Sequence, residues 1–230
     1  MSFDIICANC GAPSSPAIGV CPYCKSVMTT AEEKSNPAIG NIKEFFNDGQ
    51  LEKALSLART LETQRPDSLK SKEFILLYVQ ILIEAEGPST KIKSLLNQAL
   101  IDNPSDPQLL EYLEVAEAES NLSREKNDAG EIALANIIRR SPENVQALFL
   151  LGSHLFWVEK DAQRALRYLE QCVRLSPNFF KANACLAAVY KTLKMDDIAT
   201  RFCNECASKA TDPQVKKLFT DFANTPLNLE

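Results

Sequence analysis

The sequence is poor in histidine and in glycine, and each shortage excludes a class of chemistry. The 230 residues contain a single histidine, His154, so the two-histidine zinc motif H-E-x-x-H cannot be present. The seven glycines lie at least eight residues apart, whereas G-x-G-x-x-G and the Walker loop need closer spacing. Because no catalytic constellation is found either, we expect a protein that is not an enzyme and has no small-molecule substrate.

Long apolar runs and a basic leader are missing as well. The longest nearly apolar run, Phe74 to Ile83, is interrupted by Gln80, whereas a membrane span needs roughly 20 apolar residues. Asp4 stands where a secretory leader carries Lys or Arg. We therefore expect a cytoplasmic protein without membrane insertion, whose eight cysteines are metal ligands or core residues before they are disulfides.

The charge balance is acidic and uneven along the chain. The formal net charge is −5, which argues against a dedicated nucleic-acid binder. Nine of the acids fall between Asp102 and Glu131, against Arg124 and Lys126. Such a run usually forms a solvated helix face, and the alternative is that it steers a basic partner toward the middle of the chain.

Four of the cysteines form two C-x-x-C pairs near the amino terminus, Cys7 with Cys10 and Cys21 with Cys24. The segment between the pairs is long enough for a short hairpin that brings them together. Four thiolates then surround one Zn²⁺ and leave no open position, which is typical of a structural site. A thirty-residue module cannot build a sufficient core, so the metal supplies folding energy on the order of 10 kcal/mol.

The pattern C-x-x-C-G, a spacer and C-P-x-C resembles the short zinc-ribbon family. This resemblance covers about residues 5 to 27 and implies a small β-hairpin module at residues 1–30, followed by a polar linker at 31–36. A thioredoxin-like redox pair would need a βαβ fold that thirty residues cannot supply. Because Asp4 and Lys25 are its only charged side chains, the module is expected to contact protein.

Prolines mark a regular interval along the remaining chain. Pro66, Pro104, Pro142 and Pro177 are separated by 38, 38 and 35 residues, and each follows a stretch with helical spacing of apolar residues. A period in this range indicates a helical repeat array. The longer units require lengthened loops, which we place at 86–89 and 123–128.

The phase of the repeat resembles the tetratricopeptide (TPR) pattern. It is clearest at Leu148-x-x-Leu151-Gly152-x-x-Leu155, and it recurs at Asn183-x-x-Leu186-Ala187-x-x-Tyr190. Small residues such as Gly152 and Ala187 let the two helices of a hairpin approach closely. The resemblance implies a mainly all-α fold, a TPR-like α-solenoid of about five helical hairpins over residues 37–224.

In this family the first helix of each hairpin lines a concave groove that binds peptides. Carried onto this sequence, the resemblance implies a partner groove lined by Lys70, Glu73, Leu77, Gln146, Phe149, Ser153, Phe156, Lys181, Ala188 and Lys191. The Lys, Asn and Arg set with which some family members clamp acidic carboxyl-terminal tails is not found. His154 is expected to be a packed residue without a catalytic role.

The other four cysteines, Cys172, Cys185, Cys203 and Cys206, all fall in the last two repeats. Cysteine at small-residue positions acts as an apolar filler, so we expect packing residues; a second metal or redox site remains the alternative.

The two modules together predict a non-catalytic adaptor for other proteins, with the groove holding one protein segment and the ribbon a second contact. The alternative is a nucleic-acid-associated regulator whose ribbon contacts RNA or DNA. A thiol-redox sensor that uses the carboxyl-terminal cysteines is a third class, and pairing with a second copy of the chain is left open.

Overall fold

The computed structural model describes residues 5–6, 13–14, 37–122 and 127–224, and these residues are almost entirely helical. The chain separates into two compact units, Met1–Asn41 and Ile42–Glu230. The helices of the described residues are α1 (Pro37–Asn47), α2 (Leu51–Gln64), α3 (Lys72–Glu84), α4 (Ser89–Asp102), α5 (Pro107–Leu122), α6 (Asn127–Arg140), α7 (Val145–Trp157), α8 (Ala162–Leu175), α9 (Phe180–Thr192), α10 (Asp196–Lys209) and α11 (Pro213–Asn224), with a 3₁₀ helix at Pro66–Lys70.

The described residues of the amino-terminal unit include one short pair of strands. β1 (Ile5–Ile6) pairs antiparallel with β2 (Pro13–Ser14), with Ile5 opposite Ser14. The connecting sequence carries Cys7 and Cys10, which lie outside the described residues, as do Cys21 and Cys24. The zinc ribbon therefore stays a prediction.

The regularly spaced prolines do follow helix ends. Helices α2, α4, α6 and α8 end two residues before Pro66, Pro104, Pro142 and Pro177, respectively. Proline suits this place because it cannot continue a helix. Polar side chains cap several of the helices that follow these prolines: Asn144 Oδ1 accepts a hydrogen bond from Ala147 N at 2.8 Å at the start of α7, and Asp106 Oδ1 accepts one from Leu109 N at 3.1 Å at the start of α5.

From α2 to α11 the helices form an array of antiparallel neighbours, in which each helix packs against the next along the chain. Helices α3 with α4, α5 with α6, α7 with α8 and α9 with α10 are the packed pairs, and α11 packs on α10. The predicted five hairpins account for ten helices, so the count in the described residues is one higher. The correction is α11, whose buried Phe219 packs near Cys203 and Cys206 and covers the apolar face of the last pair.

Gly152 marks the close approach between α7 and α8 that the repeat pattern predicts. A Cβ atom at this position would lie 2.8 Å from Cγ of Leu169 and 3.4 Å from Cβ of Tyr168. Only glycine allows the helices to pack at this distance without displacing a neighbour.

The loop predicted between α3 and α4 is present at residues 85–88, where Glu86 has a positive φ of 52°. The other predicted loop falls largely on 123–126, which lie outside the described residues. No helix in the described part of the chain is long and apolar enough to cross a membrane.

The turn between α1 and α2 contacts the far end of the array. Asn178 Nδ2 donates a hydrogen bond to Asn47 O at 2.8 Å, and Thr211 Oγ1 donates one to Asp48 O at 2.7 Å. Gly49 has a φ of +73°, and a Cβ atom there would overlap the ring of Phe180 at 1.9 Å. The first turn of the array therefore lies against its last helices.

Candidate functional site

A row of hydrogen-bonded polar side chains crosses the first helices of three successive pairs. Gln80 Nε2 on α3 donates to Tyr112 OH on α5 at 2.5 Å, and that hydroxyl lies 3.4 Å from Gln146 Oε1 on α7, to which it donates. The three residues are 32 and 34 positions apart, which is one repeat, so they occupy nearly equivalent places. Burial raises the pKa of Tyr112, so its hydroxyl stays protonated and can donate.

This row belongs to the wall of a groove with a volume of about 690 Å³, within the size range of ligand sites. We call it the polar groove. Its walls come from α3, α5, the start of α7, and the ends of α1 and α8. It is lined by Phe46, Asn47, Gln80, Glu84, Gln108, Glu111, Tyr112, Ser141, Pro142, Glu143, Asn144, Val145, Gln146, Leu175 and Ser176.

Acidic side chains line the polar groove. Glu84, Glu111 and Glu143 are among its described lining residues, and no Lys or Arg is found among those described residues. The carboxylate of Glu111 accepts hydrogen bonds from Asn144 Nδ2 at 2.7 Å and from Ser141 Oγ. These donors are neutral, so they orient the carboxylate without cancelling its charge.

Glu84 lies at the last turn of α3 and has an unusual protonation equilibrium. Burial raises the pKa of its carboxyl from 4.5 to about 8, against the opposing attraction of Lys181 on α9. Lys181 is itself paired with Glu86 at 2.7 Å. The free groove therefore holds one carboxyl that is largely protonated at neutral pH, next to two acids of the same lining.

A smaller apolar cavity of about 190 Å³ adjoins Glu84 where the 48–50 turn contacts α9 and α11. Its lining includes Phe46, Leu51, Phe180, Ala184 and Leu218. Phe46 and Glu84 line both spaces. The polar groove thus has an apolar extension at one end.

Of the ten residues predicted for a partner groove, Gln146 lines the polar groove and Lys181 lines the apolar cavity. Three others are packed in the interior: Leu77, Phe156 and Ala188 retain 7%, 3% and 1% of their surface. A partner cannot contact these three side chains directly to any large extent, because they pack between the helices.

The remaining five predicted residues lie outside the polar groove. Lys70 and Glu73 are placed on the outer surface near the start of α3, and Lys70 pairs with Asp67 at 2.7 Å. The ring of Phe149 packs on Phe179 with centroids 4.6 Å apart. Ser153 and Lys191 are partly buried. Contact of any of the ten with a partner remains a prediction.

Sequence reasoning missed most of the acidic and amide residues of the groove. One signal was present: Gln80 is the polar interruption in the apolar run of α3, where nine neighbours are buried. A polar residue kept inside a buried helix needs a partner, and Tyr112 supplies it. The acids between Asp102 and Glu131 were the second signal, and Glu111 is the one among them that lines the groove.

The four carboxyl-terminal cysteines are buried free thiols that belong to three packing clusters. Burial raises the pKa of Cys172, Cys185 and Cys206 to about 12, so each stays a neutral thiol. In the described part of the chain, no group of three or more His, Cys, Asp or Glu residues is placed to hold a metal ion. This arrangement favours the packing role.

His154 is buried on α7, with Nε2 3.5 Å from Glu159 Oε1. It lies in neither the polar groove nor the apolar cavity.

The fold just described, an array of helical pairs with a groove across their first helices, is that of helical repeat proteins. Among solved structures, the chain is similar to TTC0263, a thermophilic TPR protein of Thermus thermophilus, with a TM-score of 0.51 and 14% identity over 82% of this chain and 98% of that one. It is also similar to a tetratricopeptide repeat protein from Parabacteroides merdae, with a TM-score of 0.53 and 15% identity over 82% of this chain and 70% of that one.

No protein-family model matches the sequence, and no curated protein matches it either. At identities this low the structural likeness concerns the fold, which is TPR-like. The prediction of a TPR-like helical array is therefore confirmed at the level of fold.

Proposed function

We propose that the chain is a non-catalytic adaptor that holds an extended segment of another protein in the polar groove. The observation that carries this proposal is the row of amide and hydroxyl groups from Gln80 through Tyr112 to Gln146 along an open groove. Such groups both donate and accept, as the backbone of an extended segment requires. The TPR-like fold supports the same use, because helical arrays present extended concave binding surfaces.

The energetics of this mode favour a moderate and reversible contact. Each backbone hydrogen bond in such a groove contributes about 0.5–1.5 kcal/mol net. The apolar cavity beside Phe180 adds burial of one side chain, about 1.5–3 kcal/mol. These gains are offset by the entropy of ordering the segment, so a second contact would strengthen the complex.

The zinc ribbon is the proposed second contact. Cys7, Cys10, Cys21 and Cys24 supply four thiolates, the donor set that suits one structural Zn²⁺. Because the ribbon precedes the array on the same chain, binding of one module raises the effective concentration of the other near a shared partner. Capture of proteins by the two modules together is then tighter than capture by either one.

The test fills the groove with a bulky side chain and compares bound partners. Gln108 is an exposed amide that lines the groove, and Asn204 is an exposed amide on α10 outside it. Gln108→Trp and Asn204→Trp, each in the full chain, add the same kind of apolar surface at the two places. Proteins are captured from nuclease-treated native lysate with each variant, identified by mass spectrometry and verified by binding of the purified partner.

We expect a partner that binds the wild type and Asn204→Trp with equal affinity. Its affinity for Gln108→Trp should be at least about tenfold lower, which corresponds to about 1.4 kcal/mol of binding free energy. Equal binding to all three chains would contradict use of the groove. Loss of every partner on nuclease treatment would instead favour a nucleic-acid-associated regulator.

A further inference from the structure

We propose that the contact between the 47–49 turn and the last helices of the array is a reversible latch that opens and closes one end of the polar groove. The latch consists of Asn47, Asp48 and Gly49 on one side and Asn178, Phe180 and Thr211 on the other. The inference concerns the regulation of the groove, and its meaning for partner binding rests on the proposed function. It follows from where the contact lies and from how weakly it is held.

The latch joins parts of the chain that are far apart in sequence. Its two hydrogen bonds, from Asn178 to the turn and from Thr211 to the turn, span 131 and 163 positions. Its third contact is steric, because the ring of Phe180 lies so close to Gly49 that no Cβ atom fits between them. Gly49 has a φ of +73°, a conformation that glycine adopts at little cost. The turn is therefore shaped to fit the surface of the last helices.

The latch crosses one end of the polar groove. On one side of it, Phe46 and Asn47 line the groove from the end of α1, and on the other side Leu175 and Ser176 line it from the end of α8. Asn178, which bonds Asn47 O, lies two residues beyond Ser176. When the turn moves away from the last helices, these two parts of the wall separate, so this end of the groove widens.

The polar contacts of the latch lie at the surface. All four residues that form its two hydrogen bonds are exposed, and the nearby ion pair of Lys181 with Glu86 leaves the Glu86 side chain 83% exposed. Such contacts contribute little net free energy, because water competes for the same groups. Among the described helices, neither α1 nor α2 packs extensively on α9, α10 or α11, whereas α7 and α8 pack closely on each other. The latch can therefore open without separating a packed pair of helices.

The space behind the latch is incompletely filled. The apolar cavity of about 190 Å³ lies there, bounded by the turn, the end of α3, α9 and α11. Each of its described lining residues keeps part of its surface exposed. Protein interiors are close-packed, and an unfilled space deprives its walls of dispersion contacts. Closing the latch is therefore less favourable than packing two successive helices of the array.

The experiment measures the distance across the latch in the full chain by double electron–electron resonance. Nitroxide labels are attached to a genetically encoded keto amino acid, so the native cysteines are left unchanged. One label pair replaces Ser56 on α2 and Lys217 on α11, across the latch. The reference pair replaces Gln98 on α4 and Ala135 on α6, away from it; all four positions are exposed.

The latch variant is Asn178→Ala/Thr211→Val, which removes both hydrogen-bond donors. Its matched control is Asn204→Ala/Thr63→Val, which removes an exposed amide on α10 and an exposed hydroxyl that bonds Arg59 O within α2. Gly49→Ala is a second variant, which keeps both donors and places a methyl group against the Phe180 ring. It provides the test if the latch variant does not fold.

We expect one main distance across the latch in the wild type, with a longer-distance population of up to about 10%. In the latch variant the ratio of the longer to the shorter population should rise at least about fivefold, because two hydrogen bonds are lost. This ratio should also rise in Gly49→Ala, while the control variant and the reference pair match the wild type.

The same distances across the latch in all four chains, or an equal change in the reference pair, would overturn the latch and leave the proposed function standing. The proposed function fails by a different result, equal binding of partners to the wild type and Gln108→Trp. That result does not alter the distances across the latch, so the two failures are distinguishable.

Discussion

Replacing Glu84 by Gln should change how the stability of the array depends on pH. The pKa of Glu84 is about 8 in the folded chain, against an ordinary value of 4.5. Below pH 4.5 the carboxyl is protonated in both states and costs nothing. As pH rises from 4.5 through 8, the unfolded chain loses the proton while the folded chain keeps it, so the wild type loses stability over this window. Gln does not titrate, so Glu84→Gln should not show this loss.

The size of the effect follows from the shift. Each pKa unit corresponds to about 1.36 kcal/mol, so the whole displacement has a ceiling of about 5 kcal/mol, of which about 3 is reached at about pH 7. Because Glu84 is only partly buried by surface area, we expect less, about 2 kcal/mol between about pH 5 and about pH 8. For a domain of this size that corresponds to a relative fall in melting temperature of about 4–8 °C.

The assay is thermal unfolding followed by circular dichroism in the far ultraviolet, at steps across the same pH window. It compares the wild type, Glu84→Gln and the exposed-acid control Glu52→Gln. The informative quantity is the change with pH, because any constant offset from the amide cancels. If wild-type and Glu84→Gln melting temperatures run parallel across the window, the assignment of a protonated Glu84 to the groove is refuted.

Three further results are expected. Gly152→Ala should lower the free energy of unfolding by about 1–3 kcal/mol, because its methyl would lie 2.8 Å from Leu169 Cγ. The control Gly40→Ala, whose methyl would have nothing within 4 Å, should leave that free energy unchanged or raise it by up to about 1 kcal/mol. Equal midpoints of urea unfolding for the two variants would contradict the steric argument. Elemental analysis should find one zinc per chain, lost from Cys21→Ser with the helical signal unchanged, and zinc retained by that variant would exclude the four-thiolate site. The four carboxyl-terminal cysteines are buried free thiols, so in a Cys7→Ser/Cys10→Ser/Cys21→Ser/Cys24→Ser chain they should react with Ellman's reagent only when the array unfolds. Fast labelling of the folded variant would contradict their burial.

Local sequence rules recovered the helical part of the fold because they depend on short-range physics. Pro66, Pro104, Pro142 and Pro177 each lie two residues after a helix end, because proline lacks the amide hydrogen needed to continue a helix and clashes with the preceding turn. Gly152 was recognisable for a related reason: a small residue at one phase of the repeat permits close helix packing. The helix count was too low by one because α11 follows the last repeat and carries none of the repeat signature.

The groove was harder to predict because a position that faces the groove in the TPR pattern need not be exposed to solvent in this chain. Leu77, Phe156 and Ala188 sit at groove-facing places in the pattern, yet neighbouring helices bury them. Glu84 lies at the end of α3, beyond the part of the helix that the pattern describes. The groups that act on it come from α8 and α9, far along the chain, and no local rule reaches that far.

The sequence by itself determined the class of architecture, a period of helical pairs, together with two cysteine pairs suited to one zinc ion. These features can be read from the spacing of residues along the chain, which does not depend on the tertiary contacts. The tertiary structure decided which surface is open. Asn178 and Thr211 donate hydrogen bonds to the backbone of residues 47 and 48, and the row from Gln80 to Gln146 joins three different helices. These contacts link residues that are far apart in the chain, so the groove is a property of the assembled helices.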